Sequence, residues 1–249
     1  MSSIDNDSYC KNCNSKLAGK YCNVCGQRSS VHKITFRDTF QDLIETVFSV
    51  NTPLWITLQM LIINPGKLFR EYLEGKRRTY YKPVAFFILT TIVYIVLRSL
   101  IGYDPMGNTV IEQNDKLDVN LFMAAGKFMV ANINNILFLF VFSSGLSLKL
   151  FFYKKYSLAE YLAISFYLVG IYNLLGAIFM FYLQFVNPEL KFLPALLMLF
   201  YMVYALTSFY ADRKFLVTVK TILFYFLAYF FYVAFGYGLS FLIVWLKNI

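Results

Sequence analysis

Charge is scarce in this sequence: Asp, Glu, Lys and Arg together make 15% of its 249 residues, where a soluble domain carries about 25%. A disordered chain, which needs many charges and few apolar residues, is excluded, and so is a nucleic-acid-binding domain built on the bulk of the chain. Cysteine is absent after Cys25, which excludes a disulfide-stapled secreted domain. There is one histidine, His32, so proton-transfer chemistry built on imidazole has little to draw on. The opening MSSIDNDSYCKNC lacks an apolar stretch behind a charged start, so we expect no signal peptide and a cytoplasmic N-terminus.

What is present is apolar. Hydrophobic residues reach 59%, and the net charge of +9 then serves first to orient spanning helices, because Lys and Arg resist translocation. Nucleic acid is not an expected partner. The expected fold class is an all-α polytopic membrane protein of about five transmembrane helices, with a small N-terminal ribbon (1–33), cytoplasmic amphipathic or interfacial helices (34–83) and a helix bundle (84–249).

All four cysteines fall in two CxxC pairs, Cys10/Cys13 and Cys22/Cys25, eight residues apart. Each pair can place two thiolates on one ion through a tight knuckle, with Gly26 supplying permissive backbone after the second, and four thiolates complete a tetrahedral shell suited to one structural Zn²⁺. A thiol redox pair is the competing reading; it would normally sit at a helix start in a βαβ setting, which nothing here provides. A closed shell leaves no position for water, and about thirty residues cannot bury enough apolar area to fold without the ion. His32, with four sulfurs available, reads as a surface residue.

From Thr35 the period becomes helical: Phe36, Phe40, Leu43, Ile44, Val47 and Phe48 recur at three- and four-residue steps, predicting an amphipathic helix over Thr35–Val50. Thr52-Pro53 starts another helix, and Leu54–Ile63 is apolar but too short to cross about 30 Å of hydrocarbon, so it is interfacial or re-entrant. Pro65-Gly66 breaks it. Six positive charges follow between Lys67 and Lys82. They read as the cytoplasmic anchor of the first spanning helix, or as a contact for a partner or an anionic lipid made by Lys76, Arg77, Arg78 and Tyr80.

The succession CxxC, YCxxCGQ, NPG, YLxGKRxxYxxP and several apolar helices resembles an uncharacterised family of bacterial membrane proteins, a domain of unknown function with an N-terminal zinc ribbon. The matching residues are Cys10, Cys13, Cys22, Cys25, Gly26, Gln27, Pro65, Gly66, Tyr72, Gly75, Lys76, Arg77, Tyr80 and Pro83. The resemblance covers about the first third of the chain and implies a ribbon and a membrane location. It brings no catalytic residues.

Five segments are long and apolar enough to span: Val84–Ile101, Ile133–Tyr153, Leu158–Phe185, Phe192–Tyr210 and Val217–Leu246. Lys76 to Lys82, Lys149 to Lys155 and Arg213 to Lys220 fall on one side, and the Gly102–Asn132 loop on the other. The resemblance implies the bacterial inner membrane, and the charge asymmetry predicts the N-terminus inside and the C-terminus outside. Ser157 with Glu160 forms a capping box, and no internal repeat of helices or motifs is visible. Inside the bilayer Asn173 and Gln184 are the deepest polar groups and read as interhelical bonds. Aromatics make 20% of the chain, eleven of them between Val217 and Leu246. They read as packing and interface anchors.

A nucleophile with its base, paired acids or an open metal site is not to be found, so no enzyme activity is expected. The expected function is a non-enzymatic membrane scaffold or accessory subunit whose ribbon and helices dock another membrane or cytoplasmic protein. The alternative is a transporter or lipid-handling protein.

Overall fold

The computed structural model describes residues 9–29, 52–103, 117–153, 155–211 and 213–247; the expected helix Thr35–Val50 and His32 lie outside the described residues. The described helices are α1 (Thr52–Ile63), α2 (Pro65–Glu74), α3 (Pro83–Ile101), α4 (Leu117–Ala131), α5 (Ile133–Phe151), α6 (Leu158–Phe185), α7 (Leu193–Tyr210) and α8 (Lys214–Lys247). Between residues 9 and 29 there are isolated bridges, Tyr9 with Lys16 and Tyr21 with Arg28, and no helix.

Local chemistry sets the helix ends. Pro65 and Pro83 occupy first-turn positions, where a missing N–H costs nothing. At α6 the Ser157 hydroxyl accepts from the Glu160 N–H at 3.3 Å while Glu160 Oε2 accepts from the Ser157 N–H at 2.7 Å, completing the expected box. Gly75 and Gly102, at φ 119° and 67°, close α2 and α3 in the left-handed region that glycine tolerates.

Helices α3, α6, α7 and α8 are long and apolar enough to cross a membrane, which makes this a multi-pass membrane protein. Those four are found among the described residues; the segment expected at Ile133–Tyr153 forms α5, within which Leu137–Phe151 is a further apolar stretch. The expected Gly102–Asn132 loop is corrected in part, since α4 occupies its second half. Leu117, Leu121, Ala125 and Phe128 follow a helical step. Ala125 is fully buried, the Phe122 ring lies 5.2 Å from Phe241, and Tyr237 donates to the Phe122 carbonyl at 3.0 Å.

Neighbouring contacts fix direction. Gly170 lies against Phe86, Asn173 bonds Thr91 and Gly176 lies against Tyr94, so α3 and α6 run parallel. Phe140 meets Tyr232 while the Phe151 carbonyl accepts from Lys220, so α5 and α8 run antiparallel. The Tyr161 and Tyr210 hydroxyls lie 3.2 Å apart, which sets α7 against α6. Residues 76–82, Lys149, Lys155, Lys214 and Lys220 thus gather at one end of the bundle, here the ribbon end.

The core sits on α6, which buries Tyr161, Ile164, Tyr167, Leu168 and Val169 among α3, α5 and α7. Glycine permits the closest crossings: a Cβ at Gly145 would stand 2.6 Å from Leu162 Cδ2, and one at Gly170 2.5 Å from the Phe86 ring. Helix α8 is continuous through Gly236 and Gly238 for 34 residues, about 51 Å at 1.5 Å per residue, well beyond about 30 Å of hydrocarbon. Its Phe224 and Tyr232 face the bundle and its Phe226 and Phe230 face outward. Asn173, 2% exposed, donates to Thr91 Oγ1 at 2.7 Å and is the interhelical bond expected of it. Gln184 is exposed.

Candidate metal centre and its dock

The two knuckles are built alike. The Cys10 N–H donates to the Ser15 carbonyl and the Asn14 N–H to the Cys10 carbonyl, both at 2.8 Å; the Cys22 N–H donates to the Gln27 carbonyl at 2.7 Å and the Gly26 N–H to the Cys22 carbonyl at 2.8 Å. Asn14 and Gly26, at φ 58° and 70°, hold the same left-handed position, which Asn and Gly tolerate best. An internal repeat does exist: Tyr9–Lys16 and Tyr21–Arg28 are two copies of one hydrogen-bonded turn, their likeness hidden in sequence because only the Tyr and Cys positions coincide.

All four sulfurs lie within 4.8 Å of one another and could hold a metal ion together, with 3.6 Å between Cys10 and Cys25 and between Cys13 and Cys22. The Ser15 hydroxyl bridges Cys13 and Cys22 at 3.0 Å each. That hydroxyl is the main cause lowering both thiols, Cys22 to about 6, while burial pushes Cys25 up to about 12. A cation among the four would remove this disparity by favouring every thiolate.

The ribbon does not stand apart. Gln27, buried, donates from Nε2 to the Gly75 carbonyl at 2.8 Å and accepts at Oε1 from the Arg78 N–H at 3.3 Å, bracketing the loop after α2. Asn12, inside the first knuckle, accepts from the Thr79 N–H at 3.0 Å and from its hydroxyl at 2.5 Å. Each knuckle thus contributes one amide to the Gly75–Tyr80 loop. Glu71 holds that loop from below: its carboxylate takes Lys76 Nζ at 2.9 Å and the Tyr80 hydroxyl at 2.5 Å. Burial works against the charged Glu71, but the bonds from Tyr80 and Lys76 outweigh it and keep its pKa below the ordinary value. Burial, then the bond to Glu71, raises that of Tyr80.

Below the loop, Asn64-Pro65-Gly66 seats α2 against the end of α7. Asn64 caps the Lys67 N–H at 3.1 Å and accepts from the Ser208 hydroxyl at 3.0 Å. A Cβ on Gly66 would stand 2.2 to 2.4 Å from the Ser208–Phe209 backbone, so only glycine fits. Arg70 Nη1 donates to the Ser208 and Phe209 carbonyls at 2.6 and 2.8 Å, supplying cationic partners where a helix end leaves carbonyls bare. Tyr201 and Tyr204 do the same for the last carbonyls of α1, at Leu61 and Ile63. The Tyr81 N–H donates to Thr57, and its carbonyl accepts from Tyr167, which fixes the entry to α3.

Residues 53–95 match the family described as protein of unknown function DUF3667. The match bears out the resemblance to an uncharacterised family and takes in α1, α2, the loop and the first part of α3. It is the segment on which the ribbon sits. No curated protein and no solved structure matches the chain.

Of the residues singled out for a partner or anionic lipid, Lys76 and buried Tyr80 bond Glu71, Arg77 is half-buried, and Arg78 is exposed with its guanidinium against Gly26. Asn12, Gln27 and Glu71 form a joint that the sequence reading does not single out. The acid at Glu71, ahead of the basic run on the last turn of an amphipathic helix, was the available signal.

Proposed function

We propose that this chain is a non-enzymatic scaffold or accessory subunit of the bacterial inner membrane whose ribbon, on the cytoplasmic side, docks a protein with an acidic surface. One observation carries the reading. The described ribbon exposes Tyr9, Tyr21 and Val24 beside Lys11, Lys16, Lys20 and Arg28, with Arg78 adjoining, and residues 9–29 contain no acidic residue. Exposed aromatics ringed by one sign of charge suit a partner of opposite charge, the aromatics giving affinity and the charges steering the encounter.

The ion in this reading is zinc. A tetrahedron with Zn–S of about 2.3 Å has S···S edges of about 3.8 Å, close to the 3.6 Å found between Cys10 and Cys25 and between Cys13 and Cys22. Bound there, zinc supplies folding free energy and no open coordination position. Lys76 and Tyr80 then act indirectly, by holding the loop through Glu71. Five crossings by α3, α5, α6, α7 and α8 put the C-terminus outside, a reading supported by the basic residues gathered at the ribbon end.

The test is native electrophoresis of gently solubilised membranes, with a photo-crosslinker at residue 24. A defined complex, crosslinked at that residue and lost in the Lys16→Glu, Lys20→Glu, Tyr21→Ala triple variant while the ribbon keeps its metal, is the expected result. A chain that migrates alone, with a fully functional triple variant, would refute docking.

A further inference from the structure

A partly open cavity of about 370 Å³ lies at the far end of the bundle, between α3, α5, α6, α7 and α8. Protein interiors are close-packed, with few voids larger than a water molecule, so a space of this size stands out between packed helices. Its volume lies at the lower end of small-molecule sites, about 300–1,000 Å³. Taking a methylene as comparable to water's share of about 30 Å³, it has room for roughly a dozen carbon atoms, one chain and not the two of a diacyl lipid.

The lining is graded. Leu137, Phe140, Met180, Leu183 and Met198 give the deep part an aliphatic and aromatic surface. Tyr94, Tyr172 and Tyr232 add phenols along the wall, and the buried Tyr232 hydroxyl has no hydrogen-bond partner among the described residues. At the rim stand Tyr103, Phe192 and Lys191; Lys191 is exposed and is the one charged residue among the described residues that line the cavity. Independently of the docking reading, we propose that this cavity binds a single-chain anionic amphiphile, its chain inside and its carboxylate or phosphate head at Lys191. A chain leaving the bilayer gains little from hydrophobic transfer, since lipid tails are as apolar as the lining. Selectivity therefore comes from filling the void, which restores dispersion contacts, and from the charge at the rim.

Dodecanoate carrying a diazirine at the chain end tests this on the full chain in neutral-lipid nanodiscs, with labelled residues located by mass spectrometry. Labelling should fall on α6 and α7 around Met180 and Met198, and should be displaced by dodecanoate or dodecyl phosphate at about tenfold lower concentration than by dodecanol. Stronger displacement by the phosphate assigns the head to a lipid-type phosphate, and stronger displacement by the carboxylate to a free fatty acid. Lys191→Glu, on the exposed rim, should weaken labelling by about tenfold or more while the Tm stays within a few degrees of the parent. Ala195→Phe should abolish it while leaving labelling of outward residues such as Phe226 and Phe230 intact. Labelling confined to those outward faces, equal displacement by dodecanol, or indifference to Lys191→Glu would overturn the proposal.

Discussion

At the ribbon end Arg70, Tyr201 and Tyr204 reach main-chain carbonyls of a different helix, Asn12 and Gln27 reach the main chain of a loop, and Glu71 gathers a lysine and a tyrosine. At the far end such bonds are fewer among the described residues, Tyr225 to the Ala195 carbonyl at 2.9 Å and Tyr237 to the Phe122 carbonyl at 3.0 Å, while rings meet rings there as they do at the ribbon end, Phe140 with Tyr232 at 5.3 Å and Phe152 with Tyr210 at 4.3 Å. Directional bonds to backbone fix one arrangement and fail when a partner moves. Ring contacts tolerate displacement, and they leave room for a cavity. The densest bonding to backbone and the cavity thus lie at opposite ends of one bundle.

Metal loss should separate the ends most sharply. Structural zinc in small ribbons is worth about 10–16 kcal/mol, so Cys22→Ser should unfold residues 9–29 and release both amides from the loop. Trypsin cleavage after Lys76, Arg77 or Arg78 should accelerate at least about tenfold while fragments containing α6 stay protected. Equal loss at both ends would show that the ends are not independent.

Next in size is a pair of glycines. Gly66→Val sets a side chain into the Ser208–Phe209 backbone, which cannot yield as a flexible side chain would, so the loss should exceed the usual ~1–3 kcal/mol of overpacking. Gly238→Ala meets open space in a helix and should be neutral or stabilising by up to ~1 kcal/mol. Thermal unfolding in one detergent compares them directly.

Gln27→Ala should cost about 2 kcal/mol, because it removes two bonds and leaves buried backbone groups to find others. Hydrogen exchange at residues 75–80 should rise, with the metal still bound. Smallest is Asn173→Leu, at about 0.6–1.7 kcal/mol for one interhelical bond, visible as a small drop in Tm and no change in exchange at the loop.

Whatever was local could be read in the sequence. The Ser157–Glu160 box, Pro83 at a first turn and the four cysteines each depend on a few neighbouring residues, and each stands where expected. Asn64-Pro65-Gly66 was legible as a break but not as a seat, because the backbone that requires Gly66 lies on α7, far along the chain. Lys76 and Tyr80 read as groups free for a partner since charge counting ignores what a preceding turn can reach; Glu71 takes both. Helix α4 was lost in a loop because Asp118 and Lys127 lent the segment polarity, although Ala125 and its neighbours keep a helical step.

The seat of α2 also constrains biosynthesis. Arg70 is separated from its carbonyl partner at Ser208 by 138 residues, and the Ser208 hydroxyl from Asn64 by 144. At translation rates of about 5–20 residues per second, the partner follows by roughly 7–30 s. The ribbon end is made first and closed last. The apolar face of α2 is covered in two steps, Phe69 and Tyr72 first meeting Tyr167 of α6 and Phe69 then meeting Phe209 of α7. A chain halted before α7 would have this face only half covered, with Arg70 and Asn64 still lacking their partners at Ser208 and Phe209.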